Sequence, residues 1–175
     1  MVIPLAIVFG LTVLSAGQPA SPAQECRGTL VLESFSILND TDPNPPWTFN
    51  DQWTYHVYAW QNGTIASFQD FNVAGDAGHF EDVNVTIQSI PLGAPGDPVR
   101  LKLELWTKEK DPKDRPRGVP PSDQGRITTT RTETCEPAEF RFSTFNDVLA
   151  RPTPPGPDEH DGRVEFLWRW TLEVV

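Results

Sequence analysis

Along residues 99–105 the chain reads Val, Arg, Leu, Lys, Leu, Glu, Leu, with an apolar side chain at every second position and a charge between each pair. Successive side chains of a strand point to opposite faces, so this alternation predicts a strand with one face in a core and the other in water. The same period runs through 83–88, where Val83, Val85 and Ile87 alternate with Asn84, Thr86 and Gln88. It returns in RVEFLWRWTLEV, where Val164, Phe166, Trp168, Trp170, Leu172 and Val174 share one face against Glu165, Arg169, Thr171 and Glu173. GTLVLESFSI (28–37), WTYHVYAW (53–60), TIASFQDF (64–71), RITTTRTET (126–134) and AEFRFSTF (138–145) complete eight such runs. Helical periodicity is not found.

The spacers agree with the strands. Asn62-Gly63 lies between two runs, and both residues tolerate the positive φ that a tight hairpin requires. The 18 prolines and 12 glycines fall mainly between the runs, where they break no ladder. Eight short strands in 175 residues predict an all-β fold, an eight-stranded antiparallel β-sandwich with almost no helix. The Pro-rich stretches 111–122 and 151–162 read as long surface loops. In ELWTKEKDPKDRPRGVPPSDQG, Leu103 and Leu105 point inward, so Trp106 and Thr107 are expected to mark the strand's exit into the first of these loops.

The start of the chain changes the picture from fold to address. MVIPLAIVFGLTVLSAG carries no charged side chain, and its apolar run from Val2 to Leu14 ends in small residues, which predicts a secretory signal peptide within residues 1–23, cleaved after Gly17 or Ala23. That run is shorter than the ~20 residues that span a bilayer. Residues 26–175 are expected to form a single domain. In an exported chain the two cysteines, Cys26 and Cys135, predict one disulfide. Three glycosylation acceptors follow from the sequence, Asn39 before Asp40-Thr41, Asn62 before Gly63-Thr64 and Asn84 before Val85-Thr86, with Asn84 on the outer face of its strand. The formal charge of −10 argues against nucleic acid, which needs a basic stripe, and offers carboxylates to cations.

Three stretches in order resemble a C2 domain, an eight-stranded sandwich that binds calcium and phospholipid. NDQWTYHVYAW sits where that family opens its second strand with Ser-Asp-Pro-Tyr-Val. AGHFEDVNVTI resembles Asn-Pro-x-Trp-Asn-Glu-x-Phe-x-Phe, with Phe80 for the tryptophan, and VRLKLELWTKEKD…SDQG resembles Leu-x-Val-x-Val-x-Asp-x-Asp closing with Asp-Asp-x-x-Gly. The resemblance covers roughly residues 28 to 130. It implies a C2-like topology and calcium carboxylates from two loops at one end: Asp42 or Asp40 and Asp51 from the first, Glu109 and Asp123 from the second. Thr107 stands where the family has the first Asp of Asp-x-Asp. A hard cation wants six to eight oxygens, and Lys108, Lys110, Lys113, Arg115 and Arg117 nearly neutralise Glu109, Asp111, Asp114 and Asp123. The expectation is a degenerate site, with calcium bound weakly or not at all, no other cofactor, and no stable docking to membrane.

Other chemistry is sparse. His56, His79 and His160 lack the spacing of a zinc site, and the PDEHDG turn with Asp158, Glu159 and Asp161 reads as solvated. Glu165 and Glu173 share a strand face but lie eight residues apart, too far at ~3.3 Å per residue for a glycosidase pair. The six tryptophans say more. Trp53, Trp168 and Trp170 alternate with the core, whereas Trp60 and Trp106 fall on polar faces and Trp47 in a Pro-rich loop, so these three are the candidate ligand contacts. The sequence therefore points to a secreted, monomeric, non-catalytic module binding an extracellular protein or glycan. The alternatives are a carbohydrate-binding module proper or a small secreted β-sandwich glycosidase.

Overall fold

Strands fill nearly all of the described chain in the computed structural model, which describes residues 23–39, 52–75, 77–110, 124–149 and 162–175. They are β1 (Cys26–Asn39), β2 (Gln52–Gln61), β3 (Thr64–Ala74), β4 (Phe80–Gly93), β5 (Pro98–Lys110), β6 (Gln124–Thr134), β7 (Ala138–Val148) and β8 (Gly162–Val174), with no helix among the described residues. Two four-stranded antiparallel sheets, β4-β1-β8-β7 and β3-β2-β5-β6, face each other as a sandwich.

The core follows from alternation in β8. Val164, Phe166, Trp168, Trp170 and Leu172 are buried, and burying each side chain of this size is worth about 1.5–3 kcal/mol. Val57, Ala59, Leu101, Leu103 and Leu105 answer them from the facing sheet, joined by Trp53 and Tyr55. β1 pairs with β8 but does not keep a single phase: Leu30 and Leu32 face inward opposite Trp170 and Trp168, then Phe35 and Ile37 do so opposite Phe166 and Val164. The shift occurs between Leu32 and Ser34, where Glu33 is the extra residue of a β-bulge. The displaced Glu33 carboxylate reaches Arg169 at 3.0 Å and Arg141 at 3.6 Å on the outer face. β4 carries bulges of its own against β1, one of them at Val83-Asn84, where Asn84 has φ 46°.

A polar bridge crosses the apolar core. Gln61, fully buried at the end of β2, donates from Nε2 to the Gly28 carbonyl at 3.3 Å and to Gln88 Oε1 at 3.2 Å. Its Oε1 accepts from the Trp170 indole N–H at 2.7 Å. Gly28 makes room for this, since a Cβ there would lie 2.4 Å from both Gln61 Oε1 and Leu92 Cδ1.

The two ends of the sandwich differ. At one, Asn62-Gly63 turns β2 into β3, and the disulfide between Cys26 and Cys135 ties the start of β1 to the β6–β7 turn across a Cα separation of 6.1 Å. The backbones of Glu25 and Val175 exchange two hydrogen bonds beside it, both at 2.9 Å. At the other end, Gln52 pairs with Lys110 and Val148 with Gly162, while Gln124 bridges Leu149. The strand ends that flank 40–51, 111–123 and 150–161 thus lie together.

β5 departs from the sequence reading at this end. The strand does not leave the sheet at Trp106 and Thr107 but continues to Lys110, because β2 and β6 extend the ladder on both sides: Thr107 pairs with Tyr55 and Gly125, Lys108 with Thr54 and Gln124. Thr107 points inward, is 2% exposed, and accepts a hydrogen bond from Asn146 Nδ2 at 2.8 Å. Gly125 permits the close approach of β6 to β7, since a Cβ there would sit 2.3 Å from the Asp147 carbonyl oxygen.

Candidate functional site

The residues that alternate with the core in β2 are Thr54, His56, Tyr58 and Trp60, and they form a column on the outer face of the β3-β2-β5-β6 sheet. Register places β5 beside it: Trp60 opposes Lys102, Tyr58 opposes Glu104, His56 opposes Trp106 and Thr54 opposes Lys108. On the far side of β5, Arg126 opposes Trp106, Thr128 opposes Glu104 and Thr130 opposes Lys102. On the far side of β2 stand Ile65, Ser67 and Gln69.

The rings of the first column lie against one another. His56 and Tyr58 stack with centroids 4.3 Å apart and planes at 22°, and Tyr58 meets Trp60 at 6.1 Å and 30°. The two indoles are backed by cations from the next strand over, Lys102 Nζ 4.2 Å from the Trp60 centroid and the Arg126 guanidinium 4.5 Å from that of Trp106. A cation over an indole at an exposed site is worth roughly 0.5–1 kcal/mol, enough to bias each partner towards this arrangement. Between the strands lies a depression of about 290 Å³ lined by Thr54, His56, Tyr58, Gln69, Trp106 and Lys108.

Glu104 sits at the middle of this face with its side chain 12% exposed. It accepts from the Trp106 indole N–H at 2.9 Å and from Arg126 at 2.7 Å, and Lys102 lies 3.9 Å away. The indole hydrogen bond first, and then the Arg126 and Lys102 charges, hold its carboxyl below the ordinary value of 4.5, against the opposing pull of burial. A general acid needs the reverse shift, so the hydrogen bonds and charges around Glu104 suit it to organising the face. Because its folded pKa is depressed, the folded chain binds fewer protons here than the unfolded one. The stabilisation is complete above the unfolded pKa and is lost as pH falls through the folded value. Glu104→Gln is expected to unfold at lower urea than the parent near about pH 7, with the gap narrowing towards about pH 3; a gap independent of pH would contradict this electrostatic role.

Of the residues singled out by sequence, Trp60 and Trp106 share this face, both half-buried, Trp60 opposite Lys102 and Trp106 opposite His56. Trp47, Asp42, Asp51 and Asp123 lie outside the described residues, and Glu109 is placed in β5 by its backbone alone. Among the described residues no group of three His, Cys, Asp or Glu is arranged to hold a metal ion. Asn39 closes β1, and Asn84 is exposed on β4 with its amide on the Asp82 carboxylate. Asn62 has both ends of its amide engaged: Nδ2 donates to the Leu92 carbonyl at 2.7 Å and Oδ1 accepts from the Arg100 N–H at 2.8 Å. The sequence reading set His56 aside because it lacks the spacing of a zinc site and did not single out Tyr58, Lys102, Glu104 or Arg126. The parity of WTYHVYAW was the available signal, since His56, Tyr58 and Trp60 all fall opposite the core positions.

No family model matches the chain, and no curated protein matches it in sequence.

Proposed function

We propose that this chain is a secreted, non-catalytic binding module whose recognition surface is the outer face of the β3-β2-β5-β6 sheet. The observation that carries the reading is the weave of His56, Tyr58, Trp60 and Trp106 with Lys102, Glu104 and Arg126 on one face, where His56, Tyr58 and Trp106 also line an open depression. Rings and charges fixed in advance by their neighbours lose little side-chain entropy when a partner arrives, which is what a recognition surface requires. A disulfide, and the lack among the described residues of any helix long and apolar enough to cross a membrane, are compatible with an extracellular protein. The sequon at Asn84, exposed and outward, fits the same address.

Kinship with C2 domains belongs to this reading too. It is supported by the pairing of Gln52 with Lys110, which sets side by side the strand ends from which the segments 40–51 and 111–123 continue. Calcium plays no part in the reading: Thr107 is turned into the core on Asn146, and lysines flank Glu109.

The test is binding of labelled protein to a glycan array and to immobilised extracellular-matrix proteins, comparing the parent with a Trp60→Ala, Trp106→Ala double variant. The parent signals are expected to fall at least ten-fold in a variant that remains folded, as befits two aromatic anchors. Undiminished signals would place recognition elsewhere, and hydrolysis of a bound glycan by the purified chain would make it an enzyme.

A further inference from the structure

We infer that the outer face of the β3-β2-β5-β6 sheet takes an acidic glycan, a polysaccharide bearing carboxylate or sulfate groups. This rests on the reading of that face as the recognition surface and adds the chemistry of its ligand. Charge supplies the first argument. Arg100, Lys102, Lys108 and Arg126 point outward from β5 and β6, and Glu104 is the one carboxylate among the described side chains of this face. The chain as a whole carries −10, so a local excess of cations here runs against the molecule's own field. Lys102 and Arg126 keep 39% and 54% of their side chains exposed although they lie against indoles, so they remain available to an anion.

The remaining lining decides between a glycan and an acidic protein. A protein interface buries an apolar centre from which charged residues are depleted. Here each indole is interleaved with charge, and among the described side chains Ile65 is the one exposed large aliphatic at the edge of the face. Thr54, Gln69 and Ser67 stand on one side and Thr128 and Thr130 on the other, a supply of hydroxyl and amide groups suited to a polyhydroxylated ligand. Lys102 lies over one face of Trp60 and Arg126 over one face of Trp106, so a sugar on these rings also meets the cations, and charge-assisted and hydroxyl hydrogen bonds carry much of the contact. In the depression, Lys108 supplies the cation, and Thr54 and Gln69 supply the polar contacts beside His56 and Trp106.

Biolayer interferometry on immobilised heparin, neutral dextran and poly-L-glutamate tests the assignment. The parent is expected to bind heparin in a salt-sensitive manner and to ignore dextran. Lys102→Gln with Lys108→Gln should weaken heparin binding about ten-fold or more, through loss of two charge-assisted contacts. Arg27→Gln with Arg141→Gln, an equal change of charge on strands of the opposite sheet, should leave it within two-fold. Equal weakening by both pairs would reduce the binding to net charge and overturn the inference. Binding to poly-L-glutamate as strong as to heparin would overturn it in favour of an acidic polypeptide. Binding to dextran that Trp106→Ala removes would overturn the acidic assignment while leaving the recognition surface standing. If no probe binds, the inference fails, and the array experiment shows separately whether the recognition surface fails with it.

Discussion

Replacing Cys26 and Cys135 together by alanine is expected to lower the stability of the fold by about 4 kcal/mol, read as a fall in the urea midpoint. The bond joins residues 109 apart in sequence, and closing a loop of that order removes about 4–5 kcal/mol of chain entropy from the unfolded state. The folded state will not rearrange to make up the loss, because its backbone ties at this end are already made: Gly96 donates to the Cys135 carbonyl and Cys135 to that of Asp97, each at 2.9 Å. Both cysteines are buried, so reductant should open the bond in the folded protein only as fast as this end of the sandwich opens. A loss below about 1 kcal/mol would show that the unfolded chain holds these segments together without the bond.

The second large effect is expected at Gln61. Gln61→Leu keeps the volume and removes the bridge, leaving the Trp170 N–H and Gln88 Oε1 without Gln61 in a region where Gln61 and Trp170 are fully buried. Each orphaned buried group costs about 1–3 kcal/mol, so equilibrium unfolding should show a loss of about 2–4 kcal/mol. Adding Trp170→Phe removes one orphan at its source, so the double variant should fall short of the sum of the single ones by at least about 1 kcal/mol. A Gln61→Leu protein as stable as the parent would mean that the bridge is replaceable by apolar packing.

β8 was legible in the sequence because a strand buried on one face writes its phase directly into the residues, and Trp168 and Trp170 fall where RVEFLWRWTLEV puts them. β1 was legible as a strand but not in its phase, since one bulged residue, Glu33, moves the inward positions from Leu30 and Leu32 to Phe35 and Ile37 without altering composition. The end of β5 was misread for a related reason. Thr-Lys-Glu-Lys has no apolar residue to declare a strand, and the hydrogen bonds that keep it one come from β2 and β6. At the candidate site, alternation alone put Trp60 and Trp106 on outer faces. Lys102 over Trp60 and Arg126 over Trp106 depend on strand order and register, which join residues far apart in sequence and leave no local mark.

The pairing of Glu25 with Val175 beside the disulfide sets how the fold would yield to mechanical force. Tension between these two residues pulls across the ladder and not along it, so β8 would peel from β1 and β7 rung by rung at low load. The disulfide carries the same tension straight from Cys26 to Cys135, so everything between them is shielded from extension. Only the segment from Glu136 to Val175 could then lengthen, to roughly 140 Å at about 3.5 Å per residue, against roughly 520 Å for the reduced chain. The oxidised molecule would act as a short tether with a fixed stop.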